Sequence, residues 1–254
     1  PQNAMAFEAL ARATPLKVLA QYKTNLQQLE ALLLGQAGLL QLETAPDMYT
    51  RQLQQEYQFL AHKHQLQPMV VRAWKRGGMR PAHFPTLRIV QFAALIHRAK
   101  HLFSALLQAA EPSAMQHLLQ VEAGKYWESH YRLGKRGKAR KKLLGKHTVN
   151  SILINTVAPF LVAYGRHKGD AVYKDRALAL LCQLPAEKNR IIEQWRDLGM
   201  KPSGAGQSQA LIQLKKHYCY HKRCLECQIG HHVLDRRDFG RSQDKKHLHV
   251  VRIE

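Results

Sequence analysis

Residues Asn25 to Leu40 read NLQQLEALLLGQAGLL, with Leu26, Leu29, Leu32 and Leu33 recurring at three- and four-residue spacing. That is the period of a helix with one apolar face, and Gly35 and Gly38 mark where it should stop. The same reading extends in both directions. Upstream, small and apolar residues fill Ala4 to Ala13, and Thr14-Pro15 reads as an N-cap followed by proline at the first helical position, so two short helices are expected there. Downstream, Pro46-Asp47 opens a long amphipathic stretch running close to His64. Tyr49, Leu53, Tyr57 and Leu60 lie on one stripe of it, and Arg51, Gln54, Gln55 and Gln58 lie off it.

Between Lys75 and Pro85 the residues Gly77, Gly78, Pro81 and Pro85 cannot share a regular helix, which predicts a loop. Helical period resumes at Thr86, with Ile89, Phe92, Ala93 and Ile96 expected on the buried face and Arg88, His97, Arg98 and Lys100 exposed. Another helix should reach Ala109, and Glu111-Pro112 or Ser113 should start the next. Thr148 reads as the cap of a strongly apolar helix through Ile152, Val157 and Leu161, which Pro159 should kink. Asp170 to Leu184 and Ala186 to Leu198 read as amphipathic helices ended by Pro185 and Gly199. Lys201 to Gly206 is a connector, and Ser208 begins the last long helix. Only His247 to Ile253 tolerates a strand reading, and no repeat of fixed length occurs. The expected fold is all-α, a multi-helix bundle or array of roughly ten to twelve helices with a short cysteine-containing C-terminal segment. Its expected parts are a helical region 1–133, a basic flexible loop 134–147, a helical region 148–234 with the cysteines, and a tail 235–254.

The composition fits a folded chain, because 45% of the 254 residues are hydrophobic and recur in helical runs, which excludes intrinsic disorder. The unusual quantity is charge: 39 Lys and Arg against 18 Asp and Glu, a formal net charge of +21. Self-repulsion of that size lowers the stability of the compact state, so a polyanion should bind readily. Nucleic acid, an anionic membrane face and an acidic protein all qualify, and an even spread serving solubility is the bland alternative. No run of about eighteen uncharged apolar residues occurs. The longest candidate, Val149 to Gly165, is interrupted by Asn150, Asn155 and Pro159, so no membrane span is expected. The chain opens without a secretory series, and four unevenly spaced cysteines make no disulfide framework, which predicts a cytoplasmic protein. Its start at Pro1 suggests a piece of a longer polypeptide.

Two constellations carry chemistry. The first is Gly134 to His147, where Lys135, Arg136, Lys138, Arg140, Lys141, Lys142 and Lys146 are interspersed with glycines. Cations on a pliant backbone neutralise phosphates and release counterions with little demand on geometry, so this run is the candidate site for DNA or RNA. Tyr126, Trp127, His130 and Tyr131 precede it and could stack on unpaired bases if exposed. At helical spacing Trp127 and Tyr131 share a face that suits a core equally well. A solvated loop, or contact with an acidic protein or a membrane, stays open. The second constellation is Cys219, Cys224 and Cys227, spaced C-x4-C-x2-C beside His217, His221, His231 and His232. With a histidine or Cys182 as fourth ligand it would close a structural zinc site, and with Cys182 alone an iron–sulfur cluster. Buried thiols packing a helix turn are the alternative.

Arg72, Lys75, Arg76, Arg80 and Arg88 form a second basic group that could pair with buried carboxylates or cap helices, and Lys215, Lys216, Lys222 and Arg223 a third beside the cysteines. The carboxylates Glu30, Glu56, Glu122, Glu128, Asp170, Asp175 and Glu187 are scattered, and none is paired at a spacing that suggests acid–base or metal chemistry. Glu30 and Gln36 read as helix-packing residues. The expectation is therefore a non-enzymatic, basic module that binds nucleic acid through phosphates, with a protein-interaction scaffold as the alternative.

Several of these stretches carry a resemblance. Asn25 to Leu40, Arg80 to Arg88 (RPAHFPTLR), Ile154 to Phe160 (INTVAPF), and Ser208-Gln209-Ala210-Leu211 leading into Tyr218-Cys219 and Cys224-Leu225-Glu226-Cys227 are similar to a bacterial family designated domain of unknown function 2851. The resemblance implies an all-helical C-terminal part of a longer polypeptide whose preceding β-rich segment is nuclease-like in pattern. It implies no established activity, and nothing about the tail from Asp235 to Glu254.

Overall fold

The computed structural model describes residues 3–42, 46–75 and 77–235; Arg76, the tail beyond Asp235 and the strand expected at His247 to Ile253 lie outside the described residues. In chain order the helices are α1 (Ala4–Ala13), α2 (Leu16–Gln21), α3 (Leu26–Gln36), α4 (Met48–His64), α5 (Pro85–Arg98), α6 (Leu102–Gln108), α7 (Pro112–Leu119), α8 (Lys146–Ile152), α9 (Ala158–Lys168), α10 (Val172–Gln183), α11 (Arg190–Asp197), α12 (Ala205–Leu214) and α13 (Gln228–Asp235). Because α8 and α9 join through a π-helical turn into one continuous helix, the described residues form twelve α-helices, within the expected range. Two compact units divide the chain, Pro1–Leu180 and Leu181–Glu254. The boundary falls within α10, well past the basic run.

In the first unit α3 is the central element, packed by α4 and α5. Its start follows the sequence, because the Asn25 side chain accepts from the Gln28 N–H at 3.2 Å. Its burial exceeds a single stripe: Leu29, Ala31, Leu32, Leu33 and Leu34 are all in the core, and Glu30 and Gln36 are buried with them. A helix covered on most of its circumference needs no polar face. Gly35 sits inside the helix and does not end it, since a Cβ there would fall within the ring of Tyr57 on α4. The turn comes at Gly38, whose φ of +70° suits glycine.

Asp47 caps α4 by accepting from the Thr50 N–H at 2.8 Å, and Leu53, Tyr57 and Leu60 are buried as their spacing predicts. Thr14 is no N-cap: its hydroxyl donates back to Leu10 O at the end of α1, and Pro15 precedes α2. In α5, Ile89 and Ala93 are buried but Phe92 is 46% exposed, because the covered face runs through Leu87, Val90, Ala94 and Leu95. The α8–α9 helix starts at Lys146 after Gly145, ahead of Thr148. Pro159 produces no simple kink. A wide turn over Leu153–Val157 absorbs it, with the Ala158 N–H reaching back five residues to Leu153 O. The combined helix Lys146–Lys168 has 23 residues, and its most apolar 18-residue window has a mean hydropathy of 1.3, enough by length and composition to cross a membrane, with 44% of that window buried inside the protein.

The sheet found among the described residues is a short hairpin, β1 (His130–Arg132) antiparallel to β2 (Lys135–Arg136), with His130 opposite Arg136. In the second unit Asn189 caps α11 on the Ile192 N–H, and Gly199 ends the segment at φ +86°. Ser208 lies buried inside α12, donating to Ala205 O and accepting from the Glu187 N–H. A π turn at Lys215–Cys219 and a 3₁₀ turn at Cys224–Glu226 lead to α13.

Candidate functional site

The basic run is laid along the segment before it. Gly137 N–H donates to Ser129 O at 2.7 Å, Arg140 N–H to Glu128 O at 2.8 Å and Ala123 N–H to Lys142 O at 3.2 Å. Leu144 N–H closes the series on Val121 O at 2.8 Å. Together with β1–β2 and the bridge between Glu122 and Leu143, these bonds make residues 121–144 an irregular antiparallel arm. The arm is fastened to α5 by the Thr86 hydroxyl on Tyr131 O (2.7 Å), by the Gln91 amide on Lys142 O (3.1 Å), and by the Arg132 guanidinium over the Phe84 ring at 4.2 Å.

Lys135, Arg136, Lys138, Arg140 and Lys141 are exposed on this arm, as is Lys146 at the start of α8. Lys142 is not, and it leaves the set of phosphate ligands. It is 4% exposed, its ammonium donates to Glu128 O and Arg140 O, and it lies 4.1 Å from the centre of the Tyr131 ring. A cation in that position is an internal fastener, its stem desolvated and its charge shared among carbonyls and a π-face. Of the exposed six, Lys141 pairs with Glu122 at 3.5 Å; three ion pairs form among the described residues, the others being Arg12–Glu8 and Arg223–Glu226.

The aromatic residues ahead of the run are turned inward. They occupy a 3₁₀ turn (Lys125–Glu128) and β1 rather than a helix. Trp127 is fully buried, and Tyr126 is sandwiched between Tyr49 (centroids 4.1 Å apart) and His130 (3.9 Å). The stacking faces are thus occupied within the protein.

Beneath them lies a polar cluster that spacing did not reveal. Glu30 is fully buried, and its Oε2 accepts from the Tyr49 hydroxyl at 2.6 Å and the Trp127 indole N–H at 2.9 Å, while its Oε1 has no partner. Burial pushes this carboxyl up to about 7, against the pull of those two bonds. Tyr126 donates to Asp47 Oδ2 at 2.8 Å. Burial raises the Asp47 carboxyl, but bonds from Thr50 and Tyr126 and the charge of His130 outweigh it and leave the group below its ordinary value. Gln36 accepts from the Tyr57 hydroxyl at 2.7 Å and donates to Ala13 O. Glu30 and Gln36 therefore tie α3 to its neighbours.

Arg72, Lys75 and Arg80 are exposed, Arg88 is half-buried, and Arg76 lies outside the described residues. The expected carboxylate partners for Arg80 and Arg88 are not found among the ion pairs of the described residues.

In the second unit Cys219 and Cys227 are half-buried, and Cys224 and Cys182 exposed. Burial pushes the Cys219 thiol up, Lys215 pulls it down, and Cys227 and Cys224 add to the rise. Among the described residues no three His, Cys, Asp or Glu side chains are disposed to hold a metal ion.

A family model described as a protein of unknown function (DUF2851) matches residues 1–190, three quarters of the chain. The match takes in Asn25 to Leu40, Arg80 to Arg88, Ile154 to Phe160 and Cys182, and ends before Ser208 and the cysteines at 219, 224 and 227. No curated protein and no solved structure matches the chain.

Proposed function

The chain belongs to the DUF2851 family, whose description names no activity, and from that premise we propose that it is a basic, non-enzymatic helical module that binds nucleic acid through phosphate contacts, within a larger nucleic-acid-processing protein. The single observation that carries the reading is the arm at 121–144. Five of its cations, joined by Lys146 at the start of α8, face solvent on a backbone tied down at both edges, and of these six Lys141 alone has an acidic partner among the described residues. Cations held on a fixed backbone lose less conformational freedom on meeting a phosphate chain than cations on a loose loop. The contacts are to backbone phosphates, so binding is salt-sensitive and tolerant of sequence.

The test is the triple substitution Lys138→Gln, Arg140→Gln, Lys141→Gln, with binding to single- and double-stranded DNA and RNA measured over a salt series. Removing three contacts lowers the slope of log K against log salt by roughly 2 on a single strand and roughly 3 on a duplex. An unchanged slope would remove the arm from the account. Binding that vanishes for the native protein near physiological salt would favour the alternative, an acidic protein partner.

Zinc is a separate proposal for the second unit, supported by the C-x4-C-x2-C spacing of Cys219, Cys224 and Cys227 beside His217, His221, His231 and His232. Cys182 or a nearby histidine would supply the fourth ligand, and the metal would stabilise the turn into α13.

A further inference from the structure

At the start of α5 a cavity of about 420 Å³ opens between the Arg80–Arg88 segment and α1, with Arg80, His83 and Arg88 on its wall beside Phe7 and Asn3. Among the described residues no acidic side chain lines it. Arg88 is the informative member. Its guanidinium donates to Gln91 Oε1 at 3.1 Å, to Thr148 Oγ1 at 3.3 Å and to His83 Nδ1 at 3.4 Å, all uncharged acceptors. A guanidinium has only donors, so Nδ1 of His83 is the acceptor and its proton sits on Nε2, a further donor. Burial lowers the Arg88 pKa, with no carboxylate beside it to offset the loss of water. Arg88 also lies in the first turn of a fourteen-residue helix that no side chain caps, where the positive end of the helix dipole repels a cation.

Two costs are thus left standing at one place: a partly desolvated charge, and that charge set against a dipole of the same sign. A dianion in the cavity reverses both. We propose that this cavity binds a phosphate monoester, with Arg88 and Arg80 as the charged donors, His83 as a neutral one, and the half-buried Phe7 as an apolar wall for the body of the ester. The volume lies in the ~300–1,000 Å³ range of small-molecule sites, more than a bare phosphate fills. The esterified group is either the terminal phosphate of a nucleic-acid strand or a free small phosphate ester. The bond from Arg88 to Thr148, two residues past Lys146, sets the cavity beside the end of the basic run, which suits a strand end. The site itself does not depend on nucleic-acid binding by the arm.

The experiment is calorimetric titration of the whole protein with inorganic phosphate at constant ionic strength, then with 5′-phosphorylated and 5′-hydroxyl forms of one short oligonucleotide. Inorganic phosphate should bind saturably at one site per chain. Arg88→Gln should abolish that binding. Arg80→Gln, an exposed position whose change leaves the core intact, should weaken it roughly tenfold, the usual scale for one charge-assisted contact. Lys138→Gln on the arm should leave it unchanged. No saturable binding, or equal weakening by Lys138→Gln and Arg80→Gln, would overturn the site and show only diffuse attraction to a cationic surface. A preference for the phosphorylated oligonucleotide that Arg80→Gln removes assigns the site to strand ends. Phosphate binding without that preference supports the site and assigns it to a small ester. Because the arm is tested by other substitutions and by a salt slope, either proposal can fail alone.

Discussion

Replacing Glu30 by glutamine should remove a pH-dependent contribution to stability from the core of the first unit. Burial raises the carboxyl from 4.5 to about 7, so between those values the folded chain holds a proton that the unfolded chain releases. A folded-state pKa above the unfolded one gives a contribution fully present below pH 4.5, lost as pH rises and gone above about 7. At about 1.36 kcal/mol per tenfold change in proton affinity, the loss across that window is roughly 3 kcal/mol. Glutamine keeps an oxygen for Tyr49 and Trp127 but places an amide where Oε1 now faces Gly124, without an acceptor, at a cost of about 1–3 kcal/mol. Glu30→Gln should therefore be less stable than the native protein near pH 4.5, and the difference should shift in its favour by roughly 3 kcal/mol by about pH 8. Urea unfolding followed by tryptophan fluorescence measures both proteins across the range, and subtracting the two curves cancels the fifteen histidines and every other shared group. A difference that stays flat with pH would refute the assignment of a raised pKa to Glu30.

Three further outcomes follow from particular contacts. Gly35→Ala should lower stability by about 1–3 kcal/mol or more, since α3 and α4 must separate to admit the methyl group; thermal unfolding reads it. Lys142→Ala should cost about 2–4 kcal/mol, through the lost buried stem and the loss of the ammonium donor to Arg140 O, while Glu128 O keeps the Arg140 N–H, and should leave the salt slope of nucleic-acid binding unaltered. Elemental analysis of the purified protein should find near-stoichiometric zinc that Cys224→Ser releases; zinc and iron both at trace levels would end the metal proposal.

Helix periodicity carried most of the fold. Asn25 and Asp47 cap the helices that the sequence opens there, and Leu53, Tyr57 and Leu60 are buried where four- and three-residue spacing places them, whereas Asn189 caps a helix expected to begin at Ala186. The departures have local causes. Gly35 looks like a helix stop until the Tyr57 ring is known to press on it. Pro159 looks like a kink until one extra residue in the turn before it is seen to absorb the missing N–H. At the site, charge density found the basic run, but composition cannot separate the one cation that points inward from the six that do not. The alternation of residues 141–144, exposed, buried, exposed, buried, has no counterpart in the sequence Lys141-Lys142-Leu143-Leu144, which does not alternate in polarity. Glu30 lay in a quoted string, yet its meaning depends on Tyr49 and Trp127, 19 and 97 positions away.

That alternation makes the order of the basic residues matter as much as their number. Along an extended strand successive side chains point to opposite sides, so parity decides which of them meets solvent. One residue inserted between Gly137 and Lys141 would exchange the inward and outward positions, setting Lys141 against Tyr131 and turning Lys142 and Leu144 out to water. A shuffled arm of identical composition would carry the same net charge and present a different surface.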